Sequence, residues 1–307
     1  MKLAFDFQTV MSGVRASEVK GRGMKQRTYG FVALITALLA MGSLSVADES
    51  TEQSGKETIA ILGTGDMGNS FGPRLASLGY PIVYGSRNPE SEKVQNLLAL
   101  TGHGATATTQ KAAAEQADII LLALPWPAME AVTKDLGDVK DKILIDISWP
   151  PADLDEHGYY YITIDSSSAE LIQGWNPEAQ VVKAFGTIGS NIIDDPGYAG
   201  GVVSVPIASD HPRAKERVAE IAVELELDPL DGGPLRMSRN IEAMMILYYV
   251  PIMQGRDTGW EFYFRRSNYF VCNHYVAEGG EDEFGTASNA PDLANIPDTH
   301  GPAVPCP

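Results

Sequence analysis

The sequence predicts an α/β protein: a doubly wound parallel sheet with a small C-terminal α/β lobe. Three observations predict it. Short apolar runs alternate with longer helical patterns from Ile59 to Ile147. One run, within Asp118–Pro125, is apolar throughout, as a strand covered on both faces must be. At the first strand–helix junction stands Gly63-x-Gly65-x-x-Gly68, which makes the sheet Rossmann-type. In order, the expected elements are strand Ile59–Gly63, helix Met67–Gly79, strand Ile82–Ser86 and helix Glu90–Leu100. Strand Ala105–Thr108 follows, where β-branched residues alternate with alanine. Helix Gln110–Ala117, the Asp118–Pro125 strand, helix Ala128–Leu136 and strand Ile143–Ile147 complete five βα units.

The second half reads as mixed α/β. Ser167-x-x-Glu170 is a capping box that opens helix Ala169–Gly174. Strands Val181–Phe185 and Val202–Ala208 precede the charged amphipathic helix Arg213–Glu226. An apolar helix, Met237–Tyr249, follows the turn Asp231-Gly232-Gly233-Pro234. From Glu278 the chain is acidic and rich in Gly, Pro, Asn and Asp, too polar to offset chain entropy by burial, so an irregular tail is expected. The expected division is an N-terminal extension with a signal peptide (1–47), a dinucleotide domain (57–150), a lobe completing the cleft (151–264) and the tail (265–307).

The stretch TIAILGTGDMG, Thr58–Gly68, carries the chemistry. Gly63 permits the tight turn, Gly65 lets backbone approach a pyrophosphate, and Gly68 lets helix and strand pack closely. The helix N-terminus then offers free N–H groups to phosphate. An NAD site wants a carboxylate at the end of the second strand. Here that strand ends Gly85-Ser86-Arg87-Asn88, with an arginine and no carboxylate, which suits the 2′-phosphate of NADP(H). The plain alternatives are a glycine-rich turn without ligand, a surface arginine at Arg87, and an Asp66 that only caps the helix.

The chain has 307 residues, 44 % hydrophobic, with a formal charge of −17, which argues against nucleic acid and anionic membrane surfaces as partners. Met24-Lys25-Gln26-Arg27, the apolar stretch Phe31–Leu44 and Ser45-Val46-Ala47 have the layout of a secretory signal peptide, with Met24 the better start. The expected product is periplasmic or secreted, with no stable membrane span after cleavage; it is cytoplasmic if the signal is misread. Cys272 and Cys306 are either a disulfide or two free thiols.

Ile61–Gly68, Gly85-Ser86-Arg87, Leu124-Pro125-Trp126, Val182–Ile188 (VKAFGTI) and Gly233–Met244 (GPLRMSRNIEAM) together resemble the NADPH-dependent reductases of the deazaflavin coenzyme F-420. The NADPH-binding domain of the STEAP metalloreductases is the same unit. The resemblance spans roughly Glu57–Phe264. It implies NADP(H) lying across the strand ends and a small-molecule redox acceptor, a deazaflavin or flavin, as co-substrate; a homodimer is left open. By motif, it implies that Gly63, Thr64, Gly65, Asp66, Met67 and Gly68 hold the pyrophosphate, and Ser86, Arg87 and Asn88 the 2′-phosphate. Leu124, Ala128 and Trp149 would flank the path from adenine to nicotinamide, and Ser190 would lie near its nicotinamide end. Two positions depart from the pattern: Gly186, where relatives often carry Asn or His, and Trp149-Pro150, where many carry Asn before the proline.

Hydride transfer between stacked rings asks for geometry rather than an acid–base pair, so no catalytic side chain is expected. His103, His211 and His300 read as surface residues, and His157 as the histidine nearest the cleft. His274 beside Cys272 lacks zinc-ligand spacing. Asp146, late in an apolar strand, reads as hydrogen-bonded structure. A non-catalytic NADP(H)-binding module is the competing reading.

Overall fold

Strands covered on both faces need unbroken apolar runs, and the first half of the chain supplies them. A computed structural model describes residues 55–253 and 263–265. The signal-like segment, Cys272, His274, His300, Cys306 and the acidic stretch from Glu278 lie outside the described residues. The first half runs β1 (Ile59–Leu62), α1 (Asp66–Ser77), β2 (Ile82–Gly85), α2 (Glu92–Thr101), β3 (Thr106–Thr108), α3 (Gln110–Gln116), β4 (Ile119–Leu122), α4 (Trp126–Lys134) and β5 (Ile143–Asp146). The second runs β6 (Ala152–Leu154), β7 (Tyr160–Ile162), α5 (Ser168–Trp175), β8 (Gln180–Lys183), α6 (Ser190–Asp194), β9 (Ser204–Ile207), α7 (Pro212–Glu224), β10 (Asp228–Asp231) and α8 (Ser238–Met253).

Six strands form one parallel sheet in the order β3-β2-β1-β4-β5-β8. The chain walks outward from β1 to β3, returns, and walks the other way from β4, so the strand order reverses between β1 and β4. In open α/β sheets the ligand crevice lies at that reversal, outside the carboxyl ends of the strands. Alternation along β1 builds both sides of the core. Ile59 and Ile61 pack with Phe71 and Tyr84, while Ala60 and Leu62 pack with Ala113, Ile120 and Leu144 on the other face.

The sheet continues past residue 150, because β8 from the second half pairs with β5, Asp146 opposite Lys183. One antiparallel bridge, Lys183 to Ala208, then joins β8 to the small parallel pair β9–β10. The expected capping box is present: the Ser167 hydroxyl accepts from the Glu170 N–H at 3.2 Å and donates to its carboxylate at 2.8 Å. Four elements, β6, β7, α6 and β10, were not foreseen. The antiparallel hairpin β6–β7 has strands too short to show alternation, and its turn is organised by Asp155, whose carboxylate accepts from the His157 and Tyr159 N–H groups. Helix α6 is a five-residue turn, and β10 reads Asp-Pro-Leu-Asp, a turn-like sequence.

Candidate functional site

The loops that follow β1, β4, β5 and β8 converge on one cleft of about 480 Å³. Residues 65–67, 123–125, 147–149 and 185–191 wall it, and Met245 and Tyr248 of α8 close it. Another hollow of about 530 Å³, between Thr58, Tyr80, Pro81 and His103, lies at the amino ends of the strands, the wrong end for a parallel-sheet ligand site.

The three glycines have distinct spatial reasons. Gly63 has φ +120°, and a Cβ there would stand 2.1 Å from the Ala123 carbonyl oxygen. A Cβ on Gly68 would meet the Gly63 carbonyl oxygen at 2.2 Å. Both are therefore forced by close backbone approach. Around Gly65 a Cβ would meet nothing within 4 Å, so no protein atom requires glycine there. Gly65 is also the N-cap of α1, with no side-chain cap; Asp66 is the first helical residue and does not cap it. The open space beside uncapped N–H groups fits a dinucleotide pyrophosphate.

Among the predicted site residues, Gly65, Asp66, Met67, Leu124, Trp149 and Ser190 come together in the cleft wall. Gly63, Thr64 and Gly68 shape the turn behind it. Ala128 sits half-buried in the first turn of α4, outside the wall. Ser86, Arg87 and Asn88 stand apart at the carboxyl end of β2, where the Ser86 hydroxyl accepts from the Asn88 N–H at 3.2 Å. Arg87 is exposed and has no ion pair among the described residues.

Behind the cleft floor lies a charged cluster that the sequence reading caught only at Asp146. Lys183, Asp146 and Glu242 are each wholly buried. The Lys183 ammonium reaches Asp146 at 3.0 Å, Glu242 at 3.1 Å, the Ser168 hydroxyl at 2.9 Å and the Ser148 carbonyl at 2.9 Å. Ser168 also bonds both carboxylates, through its hydroxyl to Asp146 at 2.7 Å and to Glu242. Burial works against the ammonium, but the two carboxylates outweigh it and hold the Lys183 pKa above its ordinary value. A lysine inside the apolar run Val181–Phe185, registered opposite a strand-end aspartate, was the available signal. The cluster pins α8 and α5 to the sheet.

The described histidines, His103, His157 and His211, lie away from the cleft. His157 is exposed at the tip of the β6–β7 turn, 3.6 Å from Glu156, and not near the cleft. His211, expected on the surface, is half-buried at the start of α7 and contacts the Gln173 side-chain oxygen at 3.1 Å. Among the cleft residues that the sequence reading did not single out are Ser148, Thr187, Met245 and Tyr248, of which Thr187 lies within the VKAFGTI stretch. They come from the loops after β5 and β8 and from α8 and share no one local motif.

Residues 58–150 match the protein family described as NADP oxidoreductase coenzyme F420-dependent. The F420-dependent NADP reductase of Methanocaldococcus jannaschii is 30 % identical over 198 residues, covering 61 % of this chain and 88 % of that protein. Metalloreductase STEAP3 of Rattus norvegicus is 30 % identical over 200 residues, 64 % of this chain but 38 % of that protein. The chain thus spans little more than a third of the metalloreductase's length. A solved structure from Arthrobacter sp. FB24, described as a candidate F420-dependent NADP reductase, superposes with a TM-score of 0.61 at 27 % identity, covering 69 % of this chain and 100 % of that one. The glycine turn at the strand-order reversal and relatives matched over most of their length lead to one conclusion: the chain belongs to the F420-dependent NADP oxidoreductase family.

Proposed function

We propose that the protein is an NADPH-dependent oxidoreductase that passes a hydride to a flat, flavin-like acceptor: deazaflavin F-420, FMN or FAD, with ferric iron as an onward acceptor. The observation that carries this reading is the Gly65 turn opening into the same cleft as Trp149, Gly186 and Met245. Bound NADPH supplies the hydride. The chain supplies position: N–H groups at Gly65–Gly68 for the pyrophosphate, and Ser86, Arg87 and Asn88 for the 2′-phosphate. Leu124, Ala128 and Trp149 would flank the nucleotide, and Ser190 would stand at its nicotinamide end. No acid–base side chain is assigned.

The test is NADPH oxidation against F-420, FMN, FAD and a ferric chelate, with NADPH and NADH binding measured separately by calorimetry. Turnover with at least one acceptor and a preference for NADPH are expected. NADPH binding without turnover of any acceptor would establish the non-catalytic reading instead. The Met24–Ala47 pattern supports export, with a mature N-terminus at Asp48; mass spectrometry of the native protein reads this directly, and a product retaining Phe31–Leu44 refutes it.

A further inference from the structure

Gly186 follows Phe185, and the two share a backbone turn that aims the chain into the cleft. The left-handed residue of the pair is Phe185, at φ +58°, wholly buried with its ring edge-on to Phe71 at 5.3 Å. Gly186 is not in the left-handed region, so backbone freedom does not explain it. Space does. A Cβ at 186 would stand 2.8 Å from the Met245 Sδ and 3.0 Å from its Cε. Met245 is buried, yet it lines the cleft.

Among the described residues, two hydroxyls in the same wall have no partner. Ser148 Oγ and Thr187 Oγ1 are buried and make no hydrogen bond. The Ser148 backbone is fixed on both sides: its N–H donates to Asp146 at 2.8 Å and its carbonyl accepts from Lys183 at 2.9 Å. Ser148 is 3 % exposed and its hydroxyl is unsatisfied among the described residues, a cost that a ligand's polar edge would remove.

We propose that Met245 determines acceptor specificity: its thioether takes the place of a side chain at 186 and forms the apolar floor of the acceptor subsite, while Ser148 and Thr187 present the polar contacts. The ligand class is a flat heteroaromatic ring with a carbonyl or ring N–H along one edge. Methionine suits such a floor because its flexible thioether packs well against aromatic rings. The inference rests on the oxidoreductase reading for the identity of that ring as an acceptor. It also changes what substitution at 186 does. A side chain there does not simply add a donor; it displaces Met245 into the space where the ring belongs.

The experiment measures FMN and F-420 binding by fluorescence with NADP⁺ bound, beside steady-state KM and kcat, for Gly186→Ala, Met245→Ala, the double variant and Ser148→Ala. Gly186→Ala should weaken ring binding by about 5- to 100-fold, as overpacking does, with NADPH affinity and melting temperature nearly unchanged. Met245→Ala alone should also weaken the ring by removing its floor, and the double variant should lose less than the two single losses combined, a coupling expected only of groups competing for one space. Ser148→Ala should weaken the ring by about 2- to 10-fold, one hydrogen bond's worth. Additive losses in the double variant, or a wild-type protein that binds neither ring, would overturn the proposal. Binding that follows this pattern with no turnover would overturn the oxidoreductase reading and leave the subsite standing.

Discussion

On the proposed function, Arg87 and Gly65 divide nucleotide recognition between charge and space. Arg87→Ala removes the exposed guanidinium at the end of β2 and should weaken NADPH by ~1.5–3 kcal/mol, about 10- to 150-fold, with NADH nearly unchanged. Calorimetry with both nucleotides checks this, and equal losses would refute the 2′-phosphate role. Gly65→Val should leave the melting temperature close to wild type, because no protein atom stands within 4 Å of a Cβ there. The same branch fills the approach to the pyrophosphate, so NADPH binding should vanish. A folded variant with native affinity would move the site elsewhere. Gly63 and Gly68 were legible in the sequence because close backbone approach demands glycine at both. Ser148, Thr187 and Met245 were not, because three distant segments bring them together and none demands a special residue type by itself.

At the scale of elements, α8 is held by the buried cluster as well as by its apolar face. Glu242 binds the Ser168 N–H at 2.9 Å and the Lys183 ammonium at 3.1 Å, so α8, α5 and β8 meet at one charged point. Removing one partner of a buried ion cluster strands the others without water. Lys183→Met should therefore destabilise the fold by roughly 3–5 kcal/mol, read as a shift in the urea midpoint at unchanged slope. A loss below about 1 kcal/mol, the range of a surface pair, would show that the cluster is hydrated. The helices and central strands were readable from period and capping signals. The hairpin β6–β7 was not, since three-residue strands carry no pattern and its Asp155 turn is a matter of side-chain to backbone bonds.

For the whole molecule, the doubly wound parallel sheet followed from the alternation of strands and helices together with the glycine turn. That β8 would join the main sheet was not legible, because an apolar strand reads the same in either sheet. Burial of Tyr84 under α1 offers a test of the assembled core. Its phenol donates to or accepts from Thr101 at 2.7 Å, and burial pushes its pKa up to about 12. In the unfolded chain the phenol ionises near ~10. Folding thus keeps the proton that the unfolded chain releases, and stability is lost as pH rises from about 10 to 12. The raised pKa of Lys183 acts in the same direction above its own ordinary value. Tyr84→Phe should flatten part of that alkaline decline in melting temperature while costing about 1 kcal/mol at neutral pH. An unaltered alkaline slope would mean that Tyr84 is not sealed in the core.

The central claim is that NADPH bound at the glycine turn gives its hydride to a ring in the adjoining cleft. Anaerobic single-turnover mixing of the NADPH-loaded protein with F-420 or FMN, followed by nicotinamide absorbance, tests it most directly. The expected result is loss of one NADPH for each ring reduced, abolished by Gly65→Val and slowed by Gly186→Ala. A protein that holds NADPH tightly, binds the ring and leaves the nicotinamide absorbance unchanged would contradict it.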